Sequence, residues 1–279
     1  MGAEKWAWRM VSGALTKFSE ETFPDYVKRS GLPESFDSDQ LFHVTTIGNF
    51  KSILSEGKIS PRYCASMQKN LVYAFYGRPA YRPQIKKDST VPDEVQPSND
   101  QELVNPLLFP ACFVFKSRLI SEASALFPFD TGAYFSKRFS RYILTPNEEL
   151  DRRNKCEAFE LGLADDMSKR FVSSFYGTNS NYYMLRPLDT LKDETESDDV
   201  KAYHDLIKSD SISAELDDRR GALEVQFSEE IEINSKNVDY VVISQTSTFP
   251  VKQKKTGGSP QALKPQPSLI ELKVDPKTN

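Results

Sequence analysis

Residues 40–63, QLFHVTTIGNFKSILSEGKISPRY, combine a strand pattern and a helix pattern in one short segment. Residues 40–45 are rich in aromatic and β-branched side chains, which is typical of a strand. Residues 47–56 place their apolar side chains on one helical face, with Thr46 as a candidate N-cap and Gly57 just past the end. The segment therefore predicts a strand that leads directly into a short amphipathic helix.

Further strand patterns lie far apart in the chain, and helix patterns are fewer. Weak helix patterns occupy residues 117–126 and 157–163, and the apolar residues of segment 5–18 predict a helix that packs on the core. Strands and helices do not alternate regularly, which favours the α+β class over a parallel sheet with crossover helices. The other predicted strands are residues 71–75, 111–116, 221–227 and 239–244.

The composition is that of a folded protein. The 279 residues include 18 Phe and 12 Tyr, which excludes an intrinsically disordered acidic chain. We predict one domain over residues 1–245, with a helical N-terminal segment at 1–37, and a flexible tail over 246–279 that is rich in Lys, Pro and Gly. The tail ends in LIELKV, residues 269–274, an alternating run that can add an edge strand or bind a protein partner.

The charge of the chain is unevenly distributed. The net charge is −4, but residues 187–218 hold eleven acidic side chains against three lysines, which leaves +4 for the remainder. We interpret this acidic stretch as a solvated insertion with one short helix around residues 200–207. The positive balance elsewhere permits an anionic ligand.

Several common chemistries have no support in the sequence. The three cysteines, Cys64, Cys112 and Cys156, are far apart and form no CxxC motif, so we expect neither a disulfide framework nor a Cys-rich zinc site. The motifs GxGxxG, GxxxxGK[ST], HExxH and GxSxG are all absent. No signal-peptide core and no apolar run of bilayer length occurs, so we predict a cytoplasmic protein that binds neither metal nor membrane.

Two polar residues stand within predicted strands. A lone histidine in an apolar strand is more often a core residue than a catalytic one, but His43 is one of only two histidines and precedes two threonines and a helix start. Glu224 lies between Leu223 and Val225, so it points away from both and shares a face with Gln226. That face is either the wall of a cleft or an ordinary solvated surface.

The arrangement of these residues resembles the ADP-ribosyltransferase-like superfamily. The match consists of His43 on a strand, the short helix, the G-x-I-x-P layout of residues 57–61, Tyr73 on the next strand and Glu224 on a late strand. It is closest to the His-Tyr-Glu branch of diphtheria-type toxins and poly-ADP-ribose polymerases, and it also resembles DNA-modifying ADP-ribosyltransferase toxins and RNA 2′-phosphotransferases. Over residues 38–245 the resemblance implies a split antiparallel β core of about six strands with inserted helices and loops, and NAD as substrate.

The resemblance also implies a role for each candidate residue. Glu224 would be the catalytic carboxylate that stabilises the oxocarbenium-like transition state, His43 would anchor a ribose hydroxyl, and a tyrosine would stack on the nicotinamide. Tyr73 lies in mid-strand and is preferred to Tyr76, which points to the opposite face. Thr45 shares the face of His43 and can add a contact to the ribose or the amide.

Arginines near the predicted site are candidates for binding phosphate. Arg78 and Arg82 lie in GRPAYR, residues 77–82, directly after the strand of Tyr73. We assign them to the NAD pyrophosphate or to the acceptor because the guanidinium fork binds phosphate with two hydrogen bonds. Arg62 beside Pro61 is a further candidate. The alternative is an arginine stacked on tyrosine for structural reasons.

We therefore expect an NAD-dependent ADP-ribosyltransferase that modifies a macromolecular acceptor, either protein or nucleic acid. By analogy with the resembled toxins, it would be a toxin or a phage-defence effector. Two alternatives stay open: an NAD glycohydrolase, and a catalytically inactive module of the same fold that binds NAD, ADP-ribose or a protein partner.

The sequence departs from the family pattern in two places. It has Glu224-x-Gln226 where arginine-targeting toxins have Glu-x-Glu, which disfavours arginine as the acceptor. Residues 127–139, FPFDTGAYFSKRF, have no counterpart in the family. They either line the acceptor side, through Asp130, Thr131 and Tyr134, or form a turn followed by a helix.

Overall fold

The computed structural model describes residues 6–11, 14–19, 21–32, 40–80, 110–163, 166–209 and 219–243. Helices and antiparallel strands both occur, so the predicted α+β class is confirmed. The chain divides into two compact units. The first unit comprises Met1–Asp37, Ala125–Ala214 and Asp218–Leu223, and the second comprises Ser38–Ser124, Glu215–Asp217 and Glu224–Asn279.

The second unit contains the strand-rich part of the chain. Its helix α2 spans Ile47–Glu56, as predicted: Thr46 caps the N-terminus by accepting a hydrogen bond from the Asn49 amide, and Gly57 ends the helix with φ of 69°. A 3₁₀ turn occupies Ser117–Glu122. The strands are β3 (Leu41–Thr46), β4 (Lys58–Ile59), β5 (Arg62–Cys64), β6 (Lys69–Tyr76), β7 (Pro110–Phe115), β9 (Glu224–Phe227), β10 (Ile231–Glu232) and β11 (Val238–Ile243).

The sheet of the second unit is antiparallel and split. Its strands run in the order β11–β7–β3–β6–β9, while β5 pairs with the start of β6, and β4 pairs separately with β10. Pairing between β3 and β6 is limited to Leu41 with Tyr76 and Phe42 with Phe75. Beyond these two pairs β3 continues along β7, and β6 continues along β9. The sheet therefore opens at the level of His43.

One face of this sheet is an apolar core. Phe50 of α2 packs on Phe113 of β7 with ring centroids 4.9 Å apart, and Phe113 stacks on Phe115. Both phenylalanines of β7 are fully buried. An isolated helix of ten residues is marginal in water, so α2 is stabilised mainly by the packing of its apolar side chains on the sheet.

The first unit is mainly helical and has an aromatic core. Phe23 lies between Phe159, Phe175 and Tyr203, with ring centroids 5.0, 5.5 and 5.3 Å away. The Tyr203 hydroxyl donates to the Pro128 carbonyl at 2.9 Å. The helices are α1 (Phe23–Arg29), α3 (Thr131–Phe135), α4 (Glu149–Glu157), α5 (Met167–Phe175), α6 (Asn179–Tyr183) and α7 (Asp198–Lys208), with strand β8 (Ala125–Phe127) and a 3₁₀ turn at Arg219–Gly221.

The N-terminal segment differs from the prediction. Two paired strands, β1 (Trp6–Val11) and β2 (Ala14–Ser19), replace the helix expected over residues 5–18, and the segment becomes helical only at α1. The sequence WAWRMV alternates large and small or charged residues, which suits a strand, and the following Ser12-Gly13 pair is a turn signal. Apolar residues on all sides of a helical wheel therefore do not distinguish a helix from a strand in this segment.

Two further helix predictions and one insertion also need correction. Residues 117–126 form the 3₁₀ turn and then β8, and α4 ends at Glu157, where the predicted helix 157–163 was to begin. The acidic stretch does contain the expected helix, α7, but Tyr203 and Leu206 of that helix are fully buried. The acidic side chains of α7 lie on the outside of a core helix, so the described part of the stretch, residues 187–209, packs in the first unit.

Among the described helices, none combines the length and apolar character needed to cross a bilayer. The predicted tail 246–279, with LIELKV, lies outside the described residues, as does Arg82.

Candidate functional site

The candidate site lies where the sheet of the second unit opens. On one edge of β6, β5 pairs with residues 69–71 and β3 pairs with residues 75–76. Residues 72–74, between these ladders, face the opening. There the His43 ring reaches the backbone of β6, with its Nδ1 atom 2.7 Å from the Tyr73 carbonyl oxygen. A side chain thus replaces the ladder hydrogen bond that a continuous sheet would make.

This hydrogen bond fixes the protonation pattern of His43. A carbonyl oxygen only accepts, so Nδ1 carries the proton and donates it, and Nε2 of the neutral ring is an acceptor. Desolvation lowers the pKa of His43 below its ordinary value of 6.5, the bond to the Tyr73 carbonyl partly offsets this, and the charge of Arg62 lowers the pKa further. The ring is therefore neutral at pH 7.

Cross-strand pairing places the candidate polar residues on one face. Tyr73 pairs with Gln226, and Phe75 pairs with Glu224, so Tyr73, Glu224 and Gln226 project from the same side of the sheet. Arg62 pairs with Leu71, which puts Arg62 on that side as well. We call this side, defined by Arg62, Tyr73, Glu224 and Gln226, the polar face.

Glu224 is buried and held by its neighbour on the strand. Its side chain is 2% exposed and that of Gln226 is 1% exposed, which excludes the solvated surface considered above. Gln226 Nε2 donates to Glu224 Oε1 at 2.7 Å. The Gln226 carbonyl in turn accepts from the backbone amide and the hydroxyl of Ser124, at 2.7 and 3.0 Å. A neutral amide thus orients a buried carboxylate, as charge burial requires.

Exposure and register distinguish the two tyrosines. Tyr76 pairs with Leu41, lies on the apolar side of β6 and is 2% exposed. Tyr73 is partly exposed on the polar face. The register thus confirms that Tyr73 and Tyr76 point to opposite faces, with Glu224 on the side of Tyr73.

Not all candidate residues meet on one face. By register, His43 and Thr45 belong to the side of Leu41, opposite to the polar face, and Thr45 pairs with Ala111. His43 is linked to the polar face through the Tyr73 carbonyl and through its interaction with the Arg62 charge. Arg78 follows β6 and is partly buried, one residue after Gly77, whose amide donates to the Gln40 carbonyl at 2.9 Å.

The segment 127–139 belongs to the first unit and adopts the turn-and-helix alternative. The Asp130 side chain caps α3 by accepting from the Ala133 amide at 2.7 Å. Thr131 and Tyr134 are buried, and burial raises the pKa of the Tyr134 phenol well above its ordinary value. These three residues therefore have structural roles.

Cys112 is not a candidate nucleophile. Cys112 pairs with Val44 next to His43, but burial raises the pKa of its thiol to about 12, so it stays protonated at neutral pH. In the described part of the chain, no group of three or more His, Cys, Asp or Glu side chains is arranged to hold a metal ion.

The strand alternation predicts that Gln226 shares the face of Glu224, but it does not predict the hydrogen bond between the two side chains. The available signal was the i, i+2 spacing on a strand, which permits a hydrogen bond between neighbouring side chains on one face. Ser124 carried no signal, because its contact with Gln226 joins residues 102 positions apart.

Comparison with family models, with curated proteins and with solved structures finds no match to this chain.

Proposed function

We propose that this chain cleaves the nicotinamide–ribose bond of NAD and transfers ADP-ribose to a macromolecular acceptor. The observation that carries the proposal is the buried Glu224 carboxylate, held by Gln226 on the face that also presents Tyr73. A buried charged group costs folding free energy, so the burial of a carboxylate on this face favours a chemical role for Glu224.

Glu224 supplies the electrostatic part of the reaction. Breaking the bond to nicotinamide develops positive charge on the ribose, as in glycoside hydrolysis, and a fixed carboxylate stabilises that charge. The Gln226 amide holds one carboxylate oxygen, so the group needs little reorganisation as the bond breaks. The same carboxylate can orient the attacking group of the acceptor.

His43 and Tyr73 bind the substrate. With Nδ1 donating to the Tyr73 carbonyl, the Nε2 atom of His43 can accept a hydrogen bond from a ribose hydroxyl. The Tyr73 ring is partly exposed on the face of Glu224, where it can stack on the nicotinamide. Arg62 is exposed on the same face and binds a phosphate of NAD, and Arg78 and Arg82 are further candidates for the pyrophosphate.

The test is release of nicotinamide from NAD by the full chain and its variants, with and without cell lysate. Glu224→Gln removes the charge and keeps the shape, and we expect the rate to fall about 10²- to 10³-fold. Gln226→Leu should lower kcat and leave the KM for NAD nearly unchanged, because it disturbs only the orientation of the carboxylate. Glu229→Gln, which removes an exposed carboxylate after β9, is the matched control and should behave as wild type.

Two outcomes would contradict the proposal. Wild-type protein that releases no nicotinamide under any acceptor condition is not an ADP-ribosyltransferase. Glu224→Gln protein with full activity and reduced stability would make Glu224 a structural residue. Release at the full rate without any acceptor would instead indicate the glycohydrolase alternative.

A further inference from the structure

Strand β11 forms one edge of the sheet of the second unit. In the order β11–β7–β3–β6–β9 it stands first, and among the described strands it pairs with β7 alone. The backbone groups on the other side of β11 therefore have no strand partner in the part of the chain that the structure describes. Such an edge is a ready template for a further strand.

The edge of β11 has little of the protection that exposed edges usually have. Charged side chains, prolines and bulges discourage further pairing. In β11 these features are confined to the start, where Asp239 is exposed and the register shifts between Val238 and Tyr240. Residues 240–243, YVVI, contain neither a charge nor a proline. The rest of β11 is thus an apolar edge that is suited to pairing.

The two sides of this edge differ in burial. Val241 and Ile243 are buried on the side of Phe113, with which Val241 pairs. Tyr240 and Val242 point to the other side and are partly exposed. A strand added at this edge must therefore place apolar side chains on the first side, and it can carry charges on the second.

The segment 269–274, LIELKV, has this pattern. In an extended chain Ile270, Leu272 and Val274 fall on one side, and the charged Glu271 and Lys273 fall with Leu269 on the other. Pro267 precedes the segment and Pro276 follows it, and proline cannot donate a hydrogen bond to a strand ladder. The segment therefore has the length and the alternation of a single edge strand.

We propose that residues 269–274 pair antiparallel with the open edge of β11 and extend the sheet by one strand. With Leu272 opposite Val241, Ile270 lies opposite Ile243, so both apolar residues of the segment join the buried side. The added strand satisfies the backbone groups that β11 otherwise presents at the edge of the sheet.

The charges on the second side are complementary. The Gln40 side chain donates to the Asp239 carboxylate and accepts from the Tyr240 hydroxyl at 3.2 Å, so the carboxylate and the phenol lie close together. The proposed register puts Lys273 opposite Tyr240, and hence beside this carboxylate. Asp239 is the one acidic residue of β11.

The chain between the two strands is long enough for the return. Residues 244–268 have the Lys, Pro and Gly content of a linker. A linker of this length spans about 25–30 Å on average, whereas a strand of six residues is about 20 Å long. Attachment holds the segment near the edge at an effective concentration of about 1 mM. A second copy of the chain supplies the same segment only at the bulk protein concentration, so the chain's own segment is the favoured occupant.

Hydrogen exchange of the full chain, with mass spectrometry of the peptide that contains β11, tests this pairing. Leu272→Pro removes a backbone donor from the middle of the segment, and Leu263→Pro makes the same change in the linker as the matched control. If the segment alone binds with a Kd of about 100 μM, attachment keeps it bound about 90% of the time and slows exchange of the outward amides about tenfold. Leu272→Pro should abolish this protection, and Leu263→Pro should retain it.

A labelled peptide of residues 266–276 identifies the occupant of the edge. The edge is open in the Leu272→Pro chain, whereas in the wild-type chain the attached segment competes with the peptide. The peptide should therefore bind the Leu272→Pro chain about tenfold more tightly than the wild-type or the Leu263→Pro chain.

Equal exchange of β11 in the wild-type and Leu272→Pro proteins would overturn the proposal, as would equal binding of the peptide to both. A wild-type dimer in sedimentation velocity that Leu272→Pro abolishes would also overturn it, because the segment would then pair with a second copy. Neither assay contains NAD, so their results are independent of the proposed function.

Discussion

At the scale of single residues, Glu224 and His43 of the second unit are held by different kinds of hydrogen bond. Glu224 receives a neutral hydrogen-bond donor from Gln226, which suits an ionised carboxylate. His43 donates to a carbonyl and lies near the Arg62 charge, which suits a neutral ring. The sequence alone could not predict either hydrogen bond. The bond of His43 depends on a partner on another strand, and that of Glu224 depends on the conformation of a neighbouring side chain.

The lowered pKa of His43 predicts a pH dependence of stability. His43 has a pKa near 6.5 in the unfolded chain and a lower pKa in the folded chain, so below about pH 6.5 the unfolded chain binds a proton more readily. The contribution of the neutral ring to the free energy of unfolding is therefore fully present above about pH 6.5 and is lost as the pH falls toward the folded pKa. The slope should reach at most about 1.4 kcal/mol per pH unit.

Urea denaturation between about pH 5.5 and 7.5 measures this slope. His43→Asn keeps a donor for the Tyr73 carbonyl and cannot titrate, so it should have a flatter profile than wild type. Identical pH profiles of the free energy of unfolding for the two proteins would contradict the prediction.

At the scale of elements, strand β6 is the strand with which the other strands of the candidate site pair. One edge pairs with β9 and brings Glu224 and Gln226, and the other edge is shared by β5 and β3, which leaves the opening at Tyr73. On the side opposite to Tyr73 the strand buries Val72, Ala74 and Tyr76, and His43 of β3 belongs to that same side.

This phase predicts different consequences for its two tyrosines. Tyr76→Ala should lower the free energy of unfolding by about 3–5 kcal/mol, as for other large buried aromatic side chains. Tyr73→Ala should leave stability nearly unchanged and lower kcat for NAD cleavage about 2- to 10-fold, the equivalent of a lost ring stack. Urea denaturation and steady-state kinetics of both variants provide the measurement. If Tyr76→Ala lowers kcat in protein that is still folded, and Tyr73→Ala leaves kcat unchanged, the substrate binds on the other side of β6.

At the scale of the whole molecule, each unit is assembled from separated parts of the chain. In the first unit Asp130 N–H donates to the Arg219 carbonyl at 3.1 Å, and the Tyr182 hydroxyl accepts from the Leu223 amide at 3.1 Å. Helix α1 joins the same core through Phe23. Within the N-terminal segment 1–37, the part that α1 contributes is therefore packed in the core of the first unit.

Phe23 tests this organisation. The side chain is 1% exposed and contacts aromatic rings from two distant parts of the chain, so Phe23→Ala should lower the free energy of unfolding of the first unit by about 3–5 kcal/mol. Leu32→Ala, at a half-exposed position just after α1, is the control and should change it by less than about 0.5 kcal/mol. The measurement is chemical denaturation of the full chain. Equal stability of Phe23→Ala and wild type would show that α1 is not part of the core.

The sequence by itself determined the elements whose causes are local. Helix α2 was predicted with its bounds and both caps, because Thr46 and Gly57 act on residues within one turn. The main strands β3, β6, β7 and β11 were predicted within two residues at each end, because aromatic and β-branched side chains favour the extended backbone. The α+β class followed from the order of these elements.

Only the tertiary structure decided which residues meet. The split between β3 and β6, the bond from His43 to the Tyr73 carbonyl and the burial of Glu224 all depend on strand register, which joins residues 30 or more positions apart. The aromatic core that buries one side of the acidic helix α7 is likewise long-range. The pattern of residues within a short segment indicates which backbone conformation that segment prefers. Which distant segment it packs against depends on the free energy of the whole fold.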